Sequence, residues 1–331
     1  MRFVFAGSLT ILVVTRREYS HQDLLLVGIK GHNVFMSQNL SGLLALTRWK
    51  EHVLFVVPLT IIGGLLALSE GGVLDERIIF ALFGNIATVS YAFMVNDMED
   101  APDDARDAHS NSRNPIASGK ISVTSAQVFL WFMAAIALAM FLYVGHIVFA
   151  VGVMTLVLSH LYSWRKVRLK ALPITDIVAH VLMLSTLLLL TGYAVYSNDF
   201  SSIWLIISGV TLFSAYGQIY NQLRDIEADR QAGLRNTTIL IGEKRAHMLK
   251  NAFIALAALC LGTAIYQGYF PTWLIIPAVC GVPLVLYRKS HTDMRGSIAI
   301  DASGALQFRL MILINIITAS WLLRVFIQQV I

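Results

Sequence analysis

Charged side chains are scarce in this chain. They make up 14% of its 331 residues, against about 25% in soluble domains. Hydrophobic residues account for 56%, and windows of about 20 residues pass without a charge. A soluble fold is excluded on this pattern, because it would interrupt its apolar positions with polar ones every few residues. Cysteine is almost absent: Cys260 and Cys280 both sit in apolar runs, so neither a disulfide framework nor thiol redox chemistry arises. Excess positive charge is also small, a formal +5, too little for a nucleic-acid partner. Its placement along the chain is more informative.

Nine apolar runs stand at 52–68, 77–95, 125–143, 146–163, 176–196, 203–222, 248–266, 271–287 and 306–327. Each is long enough to approach the thickness of the hydrocarbon core, about 30 Å, as a helix. The expected fold is all-α, a polytopic membrane helical bundle of about nine transmembrane helices. The segments 96–124, 164–175, 223–247 and 288–305 collect most of the Arg and Lys, while the intervening turns hold little beyond Arg77. With Arg48 and Lys50 ahead of the first run, the positive-inside rule places these four loops on the cytoplasmic face and the C-terminus on the opposite side. Residues 1–40 read as an N-terminal extension that need not belong to the native fold. Phe3 to Val14 is too short to span and ends in Arg16-Arg17, no convincing signal-peptidase site follows, and Met36 is an alternative start.

Acidic residues are costly in a bilayer, so clusters at the ends of apolar runs carry meaning. One follows the second run, Asn96 to Asp104, and another the sixth, Asn221 to Asp229. Both have the form Asn-x-x-x-Asp-x-x-x-Asp: Asn96, Asp100, Asp104 and Asn221, Asp225, Asp229. On a helix such positions share one stripe, with neighbouring Cβ atoms about 5–6 Å apart. A bare row of oxygens calls for a hard cation such as Mg²⁺, which takes one or two protein carboxylates and fills its octahedron with water and phosphate oxygens. Two facing rows could hold several ions bridged by one diphosphate. The plainer alternative, solvated loop acids, is opposed by the duplication and the shared face. Pro102 predicts a kink between Asp100 and Asp104, with Asp103 sharing the work.

Basic and turn-forming residues follow each row. Arg113 to Ser122 comes after the first, and Arg230, Gly233, Arg235, Asn236, Thr237 and Thr238 precede Gly242 after the second. Such cations either complete the charge around a diphosphate or merely orient the loops.

Taken together, this pattern resembles the UbiA-type superfamily of intramembrane prenyltransferases, over about residues 40–330. Asn96-x-x-x-Asp100-x-x-x-Asp104 looks like the family's first Asp-rich motif and Asp225-x-x-x-Asp229 like its second, after the second and sixth spans. A third loop, Tyr162 to Lys170, lies where the family places a Tyr followed by diphosphate-binding Lys or Arg. A Tyr-Pro-x-x-Lys register selects Lys166; a Tyr-Ser-x-Pro-Pro-x-Arg-Leu-Lys register selects Arg168 and Lys170. This chain lacks the prolines of both.

The resemblance implies an intramembrane prenyltransferase domain over 41–331 that ionises an allylic prenyl diphosphate with Mg²⁺ and passes the prenyl group to a lipophilic or aromatic acceptor. Asp100, Asp104, Asp225 and Asp229 would hold metal with Asn96, and Asn96, Asn221, Arg113, Lys166, Arg168 and Lys170 would meet the diphosphate. Preorganised positive charge is what lets diphosphate leave. Tyr91, Tyr162 and Tyr216 could steady the allylic cation, and Asp176 with His180 could contact an acceptor, although Asp176 also suits a helix start. A terpene cyclase would share the ionisation and differ in its product. A solute transporter would place its acids near the bilayer midplane on broken helices.

Overall fold

The computed structural model describes residues 40–106, 108–287, 291–294 and 296–331. Residues 1–39, with the alternative start Met36, lie outside the described residues. The account below concerns the unit Leu43–Ile331.

Eight of the nine apolar runs form helices long and apolar enough to cross a membrane. In chain order the helices are α1 (Trp49–Ser69), α2 (Arg77–Asp104), the short α3 (Ala108–Arg113), α4 (Val123–Val144), α5 (His146–Ser163), α6 (Thr175–Tyr193), α7 (Trp204–Arg224), the short α8 (Ile226–Gln231) and α9 (Thr237–Ile241), α10 (Glu243–Tyr266), α11 (Ile275–Tyr287) and α12 (Ala302–Val330). The remaining run, 271–287, corresponds to α11, whose 13 residues extend only about 20 Å at 1.5 Å per residue. Among the described residues the only β-pairing is a single bridge between Thr292 and Ile298.

Local chemistry sets the helix ends that matter to the site. Asn236 Oδ1 accepts from Ile239 N (3.0 Å) to cap α9, and Asp301 Oδ1 accepts from Ser303 N and Gly304 N at the start of α12. Gly145, at φ 154°, is the single residue between α4 and α5. A side chain is disfavoured there, which is how two spans reverse direction without a loop.

Lipid tails are as apolar as Leu, so helices in a bilayer hold together by close packing and interhelical hydrogen bonds. Both are present. A Cβ on Gly63 of α1 would strike the Leu189 carbonyl, and one on Gly192 of α6 would strike the Thr60 carbonyl, so α1 and α6 cross backbone to backbone. The fully buried Phe141 of α4 wedges between Gly84 of α2 and Gly152 of α5. Asn85, fully buried, donates to Thr60 Oγ1 (2.8 Å) and to the Leu188 carbonyl (3.2 Å), joining α1, α2 and α6.

The two acidic rows depart from expectation in opposite ways. α2 continues through Pro102 to Asp104 instead of breaking. Pro102 is exposed and two residues from the helix end, where one forfeited ladder bond faces outward rather than lying in the helix interior. The proline-free copy is the interrupted one: α7 ends at Arg224, Asp225 departs from helical geometry (φ −96°, ψ 9°), and α8 begins at Ile226. Hydrogen bonds from Asp225 N to Asn221 O (3.0 Å) and from Asp229 N to Asp225 O (2.9 Å) preserve the four-residue spacing across the break. α6 carries a π-type turn at Leu182–Thr186, an irregularity that re-aims side chains and recurs at functional sites.

Candidate active site

The C-terminal ends of α2 and α7 and the segment 164–174 between α5 and α6 meet around a polar cavity of about 770 Å³. Asn96, Asp100, Asp103 and Asp104 line it from one row, and Asn221, Asp225 and Asp229 from the other. The duplicated pattern is therefore brought together in space.

Each of the four row carboxylates is held by a nitrogen donor. Lys170 Nζ donates to Asp100 Oδ2 (2.6 Å) and Asn96 Oδ1 (2.9 Å), and Arg168 Nη2 approaches Asp100 Oδ1 at 3.4 Å. Asn114 Nδ2 donates to Asp104 Oδ2 (2.8 Å). Arg224 forms a two-pronged pair with Asp225 through Nε (2.8 Å) and Nη2 (2.8 Å), and its Nη1 reaches the buried Asp293 (2.6 Å). Asn236 Nδ2 donates to Asp229 Oδ2 (2.7 Å). Burial pushes the Asp229 carboxyl up to about 6; Asp225 and Asp100 add to the rise, while Asn236 and Lys170 oppose it. Asp100 and Lys170 thus act on a carboxylate of the other row, so the rows are electrically coupled across the cavity.

The basic residues expected at the diphosphate divide. Arg168 and Lys170 line the cavity. Lys166 is exposed and lies over the Trp164 ring at 5.4 Å, and Arg113 pairs at 3.4 Å with Glu51 of α1; neither belongs to the cavity lining. Between Lys166 and Lys170, Arg168 at φ 49° turns the loop just before Leu169–Ala171 coils into a 3₁₀ turn. Two further cations line the cavity without having been expected there, Arg48 and Arg106. Arg48 is anchored by Asp97, a fully buried acid one position off the row, through contacts of 2.5 and 3.1 Å.

Asn114 and Asn236 are the residues that sequence reasoning passed over. Both are buried. Asn114 also donates to the Asp97 carbonyl (2.7 Å) and accepts from Ile116 N (2.9 Å). Each asparagine clamps the last Asp of its row while accepting from its own backbone, so the duplication reaches beyond the acids. A signal was present: the dipeptide Arg-Asn occurs after each row, as Arg113-Asn114 and Arg235-Asn236.

The expected aromatic and acceptor groups also separate. Tyr91 is buried and bonded to His160 Nδ1 (2.9 Å), outside both cavity linings. Tyr162 lines the polar cavity and accepts from Gln218 Nε2 (3.0 Å). Tyr216 lines a second, apolar cavity of about 360 Å³ between α1, α6, α7 and α12. Phe93, His180, Leu184 and Asn221 line both cavities. Asp176 lies outside both linings: fully buried, it accepts from Thr237 N (2.6 Å), Thr237 Oγ1 (2.5 Å) and Gln222 Nε2 (2.7 Å).

The donor set suits a hard divalent cation, since every row ligand is oxygen. The Lys170 ammonium between Asn96 and Asp100, and the Arg224 guanidinium on Asp225, show these oxygens already arranged around positive charge. Among the described residues no three His, Cys, Asp or Glu side chains converge closely enough to hold a metal by themselves. Mg²⁺ fills the positions a protein leaves open with water and phosphate oxygens, and the polar cavity has room for such ligands.

A profile of the UbiA prenyltransferase family matches residues 56–309. The digeranylgeranylglyceryl phosphate synthase of Natronomonas pharaonis is 27% identical over 250 residues, covering 74% of this chain and 86% of that protein. Among solved structures, a UbiA homologue from Archaeoglobus fulgidus bound to GPP and Mg²⁺ superposes with a TM-score of 0.65 at 20% identity, covering 86% of this chain and 98% of that one. The apo structure of a UbiA homologue from Aeropyrum pernix K1 gives a TM-score of 0.65 at 17% identity, over 82% and 98% of the two chains.

Proposed function

The chain belongs to the UbiA prenyltransferase family, and from that premise we propose that it transfers a prenyl group from an allylic prenyl diphosphate to a lipophilic or aromatic acceptor in the membrane. One observation carries the reading: a polar cavity walled by two carboxylate rows shares Phe93, His180, Leu184 and Asn221 with an apolar cavity. A prenyl diphosphate has the same two-part character, and its reacting carbon joins the parts.

In this reading Asp100, Asp104, Asp225 and Asp229, with Asn96, hold Mg²⁺, as the oxygen donor set and the missing shell position favour. Bound Mg²⁺ supplies charge stabilisation to the departing diphosphate. Arg168 and Lys170 swing from Asp100 toward phosphate oxygens, and Asn221 orients the diphosphate at the junction. Charge that is already in place need not reorganise as the C–O bond breaks, which is the main source of rate. The apolar cavity takes the isoprenoid tail and keeps water from the allylic cation. Phe93, at the junction, and Tyr162, in the polar cavity, are the aromatic rings nearest in the lining to steady it. The named relative from Natronomonas makes a prenylated glyceryl phosphate the first acceptor to try. The excess of Arg and Lys in the loops that build the site supports a cytoplasmic orientation, with the C-terminus on the other side.

Purified protein, Mg²⁺, prenyl diphosphates of several lengths and a panel of acceptors, read by mass spectrometry, test the reading and identify both substrates. Asp100→Ala and Asp225→Ala should each abolish Mg²⁺-dependent diphosphate release while the protein stays inserted and folded. Full activity in either variant would sink the metal assignment.

A further inference from the structure

Among the described residues lining the apolar cavity, one carries a carboxylate. Glu51, in the first turn of α1, stands there beside Phe55 and Phe93, and Phe93 also lines the polar cavity. Its Oε1 receives only a long contact, 3.4 Å from Arg113 Nη2. Its Oε2 is buried and accepts no hydrogen bond; it lies 4.0 Å from Arg48 Nη1, while Arg48 Nε and Nη2 are engaged by Asp97. Arg–carboxylate pairs are frequently bidentate, a geometry Glu51 does not have with either arginine. A buried oxygen left without a donor costs about 1–3 kcal/mol, and such a group calls for an explanation.

The reaction supplies one. When the acceptor attacks, its electron pair forms the new bond to C1 of the prenyl group, and the pair of the C1–O bond leaves with the diphosphate. A hydroxyl or activated ring-carbon acceptor must then shed one proton. The row carboxylates line the polar cavity, on the leaving group's side, so they are poorly placed to take it. Glu51 lines the tail-side cavity together with Phe93 of the junction, and its Oε2 accepts no hydrogen bond.

We propose that Glu51 is the general base of the transfer: Oε2 accepts the acceptor's proton as the bond to C1 forms, and the neutral acid returns that proton to solvent after product leaves. This rests on the prenyl-transfer reading above. Its rival is the departing diphosphate acting as the base.

The test compares two fates of one cation. Wild type, Glu51→Gln and Glu51→Asp are incubated with Mg²⁺ and geranylgeranyl diphosphate, with geranylgeranylglyceryl phosphate as a hydroxyl acceptor or 4-hydroxybenzoate as a ring acceptor. Transferred product and geranylgeraniol, the water-quenched product, are quantified together. Glu51→Gln should lower the ratio of transfer to hydrolysis by about 100-fold, the lower end of what a positioned base contributes. Glu51→Asp should fall between. An unchanged ratio in Glu51→Gln overturns the proposal, whether both products persist or both decline together. Wild type that consumes no donor overturns the transfer reading itself, and wild type that consumes donor but prenylates neither acceptor overturns the base.

Discussion

Asp176 is the residue through which the packing should be felt at the second acidic row. It lies at the start of α6 and is fully buried. Its carboxylate accepts from Thr237 N, Thr237 Oγ1 and Gln222 Nε2 at 2.5–2.7 Å. Thr237 follows Asn236, which caps α9 and holds Asp229 at 2.7 Å, and Gln222 Oε1 in turn accepts from Thr238 N (3.1 Å). The second row therefore ends on a clamp whose anchor is another helix. Hydrogen bonds to a charged group contribute about 1.5–3 kcal/mol each. Losing these and the contact from Ile177 N (2.9 Å), with partial replacement by water, should destabilise Asp176→Ala by about 3–5 kcal/mol. Asp176→Asn keeps the shape but sets an NH₂ against donors, so it should fold and lose less. If about 1.4 kcal/mol of that loss reaches Asp229, the Mg²⁺ concentration for half-maximal diphosphate release rises about tenfold. The assay is a Mg²⁺ titration of diphosphate release in detergent, beside thermal unfolding. An Asp176→Asn variant with unchanged unfolding midpoint and unchanged Mg²⁺ half-saturation would refute the reasoning.

Two further outcomes follow from the same geometry. The Asp229 carboxyl, raised to about 6 by burial and by Asp225, is protonated below that pH. The folded chain then binds more protons than the unfolded one between about 4 and 6, so this group's contribution to stability falls as pH rises through that window. Metal requires the ionised form, so half-saturating Mg²⁺ should rise about tenfold per pH unit below about 6 and stay level above it; a pH-independent value would show that Asp229 does not bind the ion. Gly192→Ala places a methyl group against the Thr60 carbonyl. It should destabilise the α1–α6 crossing by about 1–3 kcal/mol, read as a lower unfolding midpoint in detergent, and an unaltered midpoint would mean that the helices separate at no cost.

Much of the site was legible because it follows the helical repeat. Residues four apart share a stripe whatever surrounds the helix, so Asn96, Asp100 and Asp104 could be grouped from spacing alone, as could Asn221, Asp225 and Asp229. Proline was a poor guide. Its effect depends on where the freed carbonyl ends up, and Pro102 sits exposed near the end of α2, while the break in the other row falls at Asp225. The basic residues were harder still, because Arg113, Lys166, Arg168 and Lys170 are chemically alike and differ only in where the backbone aims them. Asn114 and Asn236 stood in the sequence only as members of the turn-forming segments after each row; only the packing shows each one clamping an Asp.

The sequence by itself determined the membrane-helical class, the approximate spans and the membership of the two oxygen rows. Hydropathy and helical phase are local properties, set by neighbours a few residues away. Tertiary structure alone decided which cations face the rows, that Asp176 is an anchor rather than a cavity group, and that Glu51 lines the apolar chamber. These depend on chain segments far apart in sequence meeting at one place. The clearest case is the turn at Arg168, where one residue at positive φ accompanies the separation of Lys170 in the cavity from Lys166 outside it.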